Sequence, residues 1–145
     1  MRVFIKSLVI IFSFILMTSV SYAESSAKVG GYTVHYNALS TESLPASVAK
    51  AYKIKRSKNR GFLNISILKD GAGFQGVEAE LKVVATNLTG QLREMEIRKI
   101  TEQNAVYYIS EFSVSDRETL DFIINVTTLD NTSANIKLRQ QFFAN

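Results

Sequence analysis

Apolar and polar residues alternate with a period of two through most of the chain from Tyr32 onward. Tyr32, Val34 and Tyr36 oppose Thr33, His35 and Asn37, and Leu63, Ile65 and Ile67 oppose Phe62, Asn64, Ser66 and Leu68. Val77, Ala79, Leu81, Val83 and Ala85 oppose Glu78, Glu80, Lys82, Val84 and Thr86. This spacing puts successive side chains on opposite faces of a β-strand. Residues 92–100, 105–112, 120–127 and 136–142 repeat it, with Met95 and Ile97, the run AVYYISEF, then Leu120, Phe122, Ile124 and Val126, and last Ile136, Leu138 and Phe142 as the apolar sets. Turn-forming stretches separate the strands: residues 70–76 with three glycines, Thr89-Gly90, and Asp130-Asn131-Thr132-Ser133.

One stretch breaks the pattern. Pro45, the single proline, has a backbone angle suited to a first helical position, and Leu44, Val48, Ala51 and Tyr52 would then share a face. One or two helical turns near residues 45–52 are expected, capping one end of a sheet. The remainder reads as about seven strands, each needing a partner for its apolar face. An all-β, immunoglobulin-like antiparallel sandwich meets that need with a single core; a small barrel is the alternative. The chain contains neither cysteine nor tryptophan, so it would lack the disulfide and core tryptophan of antibody domains.

The first residues follow another logic. Arg2 and Lys6 precede an apolar stretch over residues 8–17, and Ser21-Tyr22-Ala23 offers the small residues of a signal-peptidase site. Residues 1–23 are therefore expected to be a cleaved secretory signal, because the apolar stretch is shorter than the roughly 20 residues that cross a bilayer. Residues 24–31, small and polar, are expected as a flexible lead-in, and residues 32–145 as one β-sandwich domain. Without its signal the chain would be soluble, periplasmic and free of a transmembrane anchor. Loss of Arg2 and Lys6 lowers the formal charge from +4 to +2.

That small net charge conceals segregation. Lys50, Lys53, Lys55, Arg56, Lys58 and Arg60 fall within eleven residues that contain no acid. Set directly before the strand at Leu63, they form a basic segment on a rigid support. A polyanionic partner, an acidic protein surface or an anionic envelope component, would be drawn to it; solvation alone would also use such lysines. Lys53, Lys55, Arg56, Lys58 and Arg60 are the candidate binding residues. Export argues against nucleic acid as the partner.

Catalytic and metal chemistry find little support. His35 is the only histidine and there is no cysteine, a poor ligand set for zinc or copper, and a structural hydrogen bond is its expected role. A trio of Ser57, His35 and Asp70 has no nucleophile-elbow sequence behind it. Glu78 with Glu80, and Glu94 with Glu96, fall on solvated strand faces. Gly71, Gly73 and Gly76 lack the lysine and hydroxyl that complete a phosphate-binding loop. The four Asn-x-Ser/Thr triplets, at Asn64, Asn87, Asn125 and Asn131, read as products of a strand-rich composition. No cofactor, metal or reaction is expected.

Val34-His35-Tyr36-Asn37-Ala38, Leu44-Pro45, Val48-Ala49, Ile54-Lys55-Arg56-Ser57 and Gly61-Phe62-Leu63-Asn64-Ile65-Ser66, with the later Ala105-Val106-Tyr107-Tyr108 and Gln141-Phe142-Phe143, resemble the DUF4426 family of exported bacterial proteins. The resemblance spans essentially residues 24–145. It implies a Gram-negative periplasmic protein with a compact β-sandwich, and it brings no catalytic residue.

The leading expectation is a non-enzymatic binding or adaptor module that meets an envelope partner through the basic segment. The alternative is a small anionic-ligand binder or an enzyme, with a pocket at His35, Asn37, Arg56 and Asn64, since arginine and asparagine suit carboxylate or phosphate groups. A third is pairing through an exposed strand edge, which Lys137 and Arg139 would oppose.

Overall fold

Leu63, Ile65 and Ile67 are fully buried while Asn64, Ser66 and Leu68 are partly exposed, so the alternation along one central strand separates the interior of the molecule from one of its outer faces. The computed structural model describes residues 25–73 and 75–145. The expected signal at residues 1–23, and Phe74 in the glycine-rich loop, lie outside the described residues.

Among the described residues, nine strands form two antiparallel sheets. Strands β1 (Ser25–Val29), β2 (Tyr32–Ser40), β3 (Arg60–Lys69), β7 (Ala105–Ser113) and β6 (Arg98–Glu102) make the first, in the order β1-β2-β3-β7-β6. Strands β5 (Leu92–Glu94), β4 (Glu80–Asn87), β8 (Thr119–Thr127) and β9 (Ser133–Gln141) make the second, in the order β5-β4-β8-β9. With β1 set aside, this is the A-B-E-D over C′-C-F-G arrangement of an immunoglobulin-like sandwich. The inner faces meet through Val34, Leu63, Ile65 and Ile67 on one side and Val83, Leu120, Phe122, Ile124 and Val126 on the other. Phe112 packs against Phe122 and Phe142 with ring centroids 5.5 and 5.6 Å apart, an aromatic cluster at one end of that core.

Two features raise the count from about seven strands to nine. Residues 25–29, expected as part of a flexible lead-in, pair along their whole length with β2, from Ser25 opposite Tyr36 to Val29 opposite Tyr32. A two-residue turn, Gly30-Gly31 with Gly30 at φ +57°, closes that hairpin. The run 92–100, read as one strand, divides: β5 pairs with β4, the chain crosses the sandwich at buried Met95, and β6 pairs with β7. The crossing keeps the apolar and polar alternation intact, so no sequence pattern marks it. Similarly, β4 starts at Glu80 and not at Val77, because residues 76–79 carry the chain between sheets, with the Val77 N–H donating to the Ile67 carbonyl at 2.9 Å.

The short helix α1 (Ala46–Ala51) forms one residue later than Pro45, which serves as its N-cap. Ala49, not Ala51, is its buried residue. Nor does α1 cap a sheet end. Together with the 3₁₀ turn Thr41–Ser43 it lies over the outer face of the five-stranded sheet, where Leu44, Ala49 and Ile54 pack on Phe62 and Ile109. Six residues are too few for a helix to persist on propensity, so this packing holds it.

Candidate binding surface

The outer face of the five-stranded sheet is built in cross-strand rows. His35 of β2 stands opposite Ser66 of β3, which stands opposite Tyr107 of β7, opposite Ile100 of β6. The next row runs Asn37, Asn64, Ile109 and Arg98, and the one beyond brings Leu39, Phe62 and Glu111 together. Apolar residues at Phe62, Ile100, Tyr107 and Ile109 make this face a second apolar layer. Strand β7 is the source of the pattern: AVYYISEF is apolar at successive positions because it is covered on both faces.

Helix α1 covers part of that layer and leaves a slot of about 240 Å³ lined by Leu44, Val48, Tyr52, Phe62, Asn64, Ile100, Tyr107 and Ile109. Asn64 is its polar element, and the Asn64 Oδ1 is buried with no hydrogen-bond partner. Tyr52 fixes the rim: its phenol donates to Glu102 Oε2 at 2.9 Å, and its carbonyl accepts from Arg98 Nη2 at 2.7 Å. The hydrogen bond to Glu102 raises the Tyr52 phenol above its usual pKa, with burial and the Glu102 charge adding to it. Across Tyr107 lies a second cleft of about 290 Å³ whose lining includes His35, Ser66, Leu68, Gly76 and Ala105. Gly76 is required there, since a Cβ would come within 2.7 Å of the Val106 backbone nitrogen.

The basic segment runs from the end of α1 to the start of β3 and is fastened along its length. Thr41, fully buried, accepts from the Ser57 N–H at 2.9 Å and donates to the Ser57 carbonyl at 3.1 Å. The Ile54 N–H closes on the Ala49 carbonyl at 2.7 Å and its side chain is buried. Three of the cations are bonded within the molecule, Arg56 and Lys58 while exposed and Arg60 half-buried: Arg56 Nη2 donates to the Glu42 carbonyl at 2.8 Å, Lys58 Nζ to the Asn145 carbonyl at 3.0 Å, and Arg60 pairs with Glu111 at 3.4 Å. Lys50, Lys53 and Lys55 are exposed, with Lys53 at φ +57° in the turn that ends α1.

Of the four residues considered for a pocket, the structure brings His35, Asn37 and Asn64 to one face, with Asn37 and Asn64 directly opposite each other. Arg56 lines neither the His35 cleft nor the Asn64 slot and is held at the 3₁₀ turn. The arrangement therefore supplies amides and an imidazole without the guanidinium. Among the described residues no group of three or more His, Cys, Asp or Glu side chains is placed to hold a metal ion. Sequence reasoning missed Tyr52, Ile100, Tyr107 and Ile109 as a lining; the unbroken apolar run in β7 was the available signal.

A family model described as a domain of unknown function, DUF4426, matches residues 26–145. The chain belongs to the DUF4426 family. A crystal structure of a DUF4426 protein from Pseudomonas aeruginosa is similar at 31% identity and a TM-score of 0.71, covering 84% of this chain and 96% of that one. A copper-bound variant of FetP from uropathogenic Escherichia coli shares the fold at a TM-score of 0.54 and 9% identity, covering 85% of this chain and 92% of that one. No curated protein matches the chain. Among the described residues of this DUF4426 protein, no helix is long and apolar enough to cross a membrane.

Proposed function

We propose that this DUF4426 protein is an exported, periplasmic, non-enzymatic binding module that contacts an anionic component of the cell envelope through the basic segment at residues 50–60. One observation carries the reading: the segment is a fastened ledge and not a loose, solvated loop. Arg56, Lys58 and Arg60 are bonded within the molecule, and Lys50, Lys53 and Lys55, like Arg56 and Lys58, are exposed on a backbone held by Thr41, Ile54 and Ser57. Pre-ordering the cations lowers the entropy lost when a partner binds. Solvation alone would need no such anchoring. The His35 region, with Arg56 held at the 3₁₀ turn, is read as binding surface.

The experiment is site-specific photocrosslinking in living cells, with the probe at Lys55 and a control probe at Glu96, read by mass spectrometry. A discrete adduct formed from Lys55 and absent from Glu96 is the expected result. The same adducts from both positions, or none from either, would remove the basic segment as the contact.

A further inference from the structure

The two clefts on the outer face of the five-stranded sheet follow one line. One is built around Ser66 and Leu68 and the other around Phe62 and Asn64 of the same strand. The β3 residues lining one cleft lie four positions from their counterparts in the other, roughly 13 Å at the rise of an extended chain. Side chains i and i+4 on one face of an extended peptide have that same spacing. Tyr107 forms the wall the two clefts share. The slot beneath α1, about 240 Å³, has the size and lining for one aromatic or branched side chain. Asn64 is the polar residue of its lining, with a buried Oδ1 that has no hydrogen-bond donor. The helix that roofs the slot with Val48 also carries Lys50, and Lys53 and Lys55 follow it directly.

We infer that this face binds an extended acidic segment of a partner protein, with an apolar side chain in the slot beneath α1, a second four residues away in the His35 cleft, and acidic residues over Lys50, Lys53 and Lys55. The inference rests on the basic segment being the charged part of the contact, and it names the partner's chemistry. A glycan or a lipid headgroup supplies the anion but no compact apolar group at a fixed spacing. A peptide supplies both, and an apolar anchor in a pocket ringed by charge is how binding energy concentrates in peptide recognition.

The test is an NMR titration of the ¹⁵N-labelled protein with two synthetic peptides, acetyl-Glu-Asp-Phe-Asp-Glu-Asp-Leu-amide, whose apolar residues are four apart, and its counterpart with alanine in place of phenylalanine. The phenylalanine peptide is expected to shift the amides of Val48, Asn64, Tyr107 and Ile109 together with those of Lys50, Lys53 and Lys55, and to bind about tenfold more tightly than the alanine peptide. Val48→Trp, which fills the slot, is expected to abolish that preference and keep the lysine shifts; Asn64→Asp, which sets a like charge against the peptide, serves if Val48→Trp does not fold. Equal binding of both peptides, with shifts confined to the lysines, overturns this inference and leaves the basic segment as the contact. No shift with either peptide overturns both. Shifts in the slot alone, unchanged when salt screens the lysines, keep the slot and overturn the charged part.

Discussion

The two sheets bury similar inner faces and treat their outer faces differently. On the four-stranded sheet the outer face is left to water: Asp121 of β8 pairs with Arg139 of β9 through bonds of 2.6 and 2.8 Å, and Lys137 and Ile123 beside them are exposed. On the five-stranded sheet the outward residues Phe62 and Ile109 are only 6% and 3% exposed, beneath α1 and Leu44. A polar outer face needs no cover, whereas an apolar one attracts a covering segment, here too short to close it. The parts left open are the slot at Asn64 and the cleft at His35. On the proposed reading, recognition falls to the covered face and solvation to the bare one.

The strongest way to break this comparison is to truncate one outward apolar residue on each sheet. Phe62→Ala is expected to cost about 3–5 kcal/mol, since it empties a packed site beneath the helix. Ile123→Ala is expected to cost less than about 1 kcal/mol, as for other surface positions. Urea unfolding of both variants decides it; equal losses would mean that α1 does not create a second core.

A smaller effect is expected from unfastening the basic segment. Thr41→Val removes both hydrogen bonds to Ser57 from a fully buried site and is expected to cost about 2 kcal/mol. Amide exchange at residues 54–59 should quicken while β8 and β9 keep their protection. Loss of protection throughout the molecule would show that the segment is not an independently held unit.

The smallest effects are pH-dependent and run in opposite directions on the two faces. The Tyr52 phenol is raised by its bond to Glu102, so its contribution is present below the ordinary tyrosine value, about 10, and is lost as pH rises through the higher folded value. The Asp121 carboxyl is lowered by its bond to Arg139, so its contribution is present above the ordinary value, about 3.9, and is lost as pH falls through the lower folded value. Thermal melts should show the deficit of Tyr52→Phe shrinking in alkali and that of Asp121→Asn shrinking in acid. A deficit that stays constant across both ranges would contradict the assigned partners.

The strands and their inward faces were legible because burial on one side writes itself as alternation, and Leu63, Ile65, Ile67, Phe122 and Ile124 fell as the pattern required. What escaped was of three kinds. Strand β1 has only Ala27 and Val29 facing the core, too few to show a period, although Gly30-Gly31 was a hairpin signal. The division between β5 and β6 preserves the alternation and so leaves no mark. The slot depends on a helix packing over a face, and no local pattern states where a helix will lie. Within the candidate site, the proximity of His35, Asn37 and Asn64 followed from strand parity and pairing. The folding back of Arg56 onto a carbonyl, here that of Glu42, was legible as well, whereas the bonds of Lys58 and Arg60 were not, because their partners Asn145 and Glu111 are distant in sequence.

The chain has no cysteine, so a single introduced thiol is a unique reporter of either face. The most direct measurement compares maleimide labelling rates of Lys53→Cys, beside the slot, and Lys82→Cys, on the bare face, in living cells and in the purified protein. The account predicts that Lys53→Cys labels more slowly in cells than in isolation while Lys82→Cys labels at the same rate in both. Equal ratios at the two positions, or protection of Lys82→Cys alone, would contradict it.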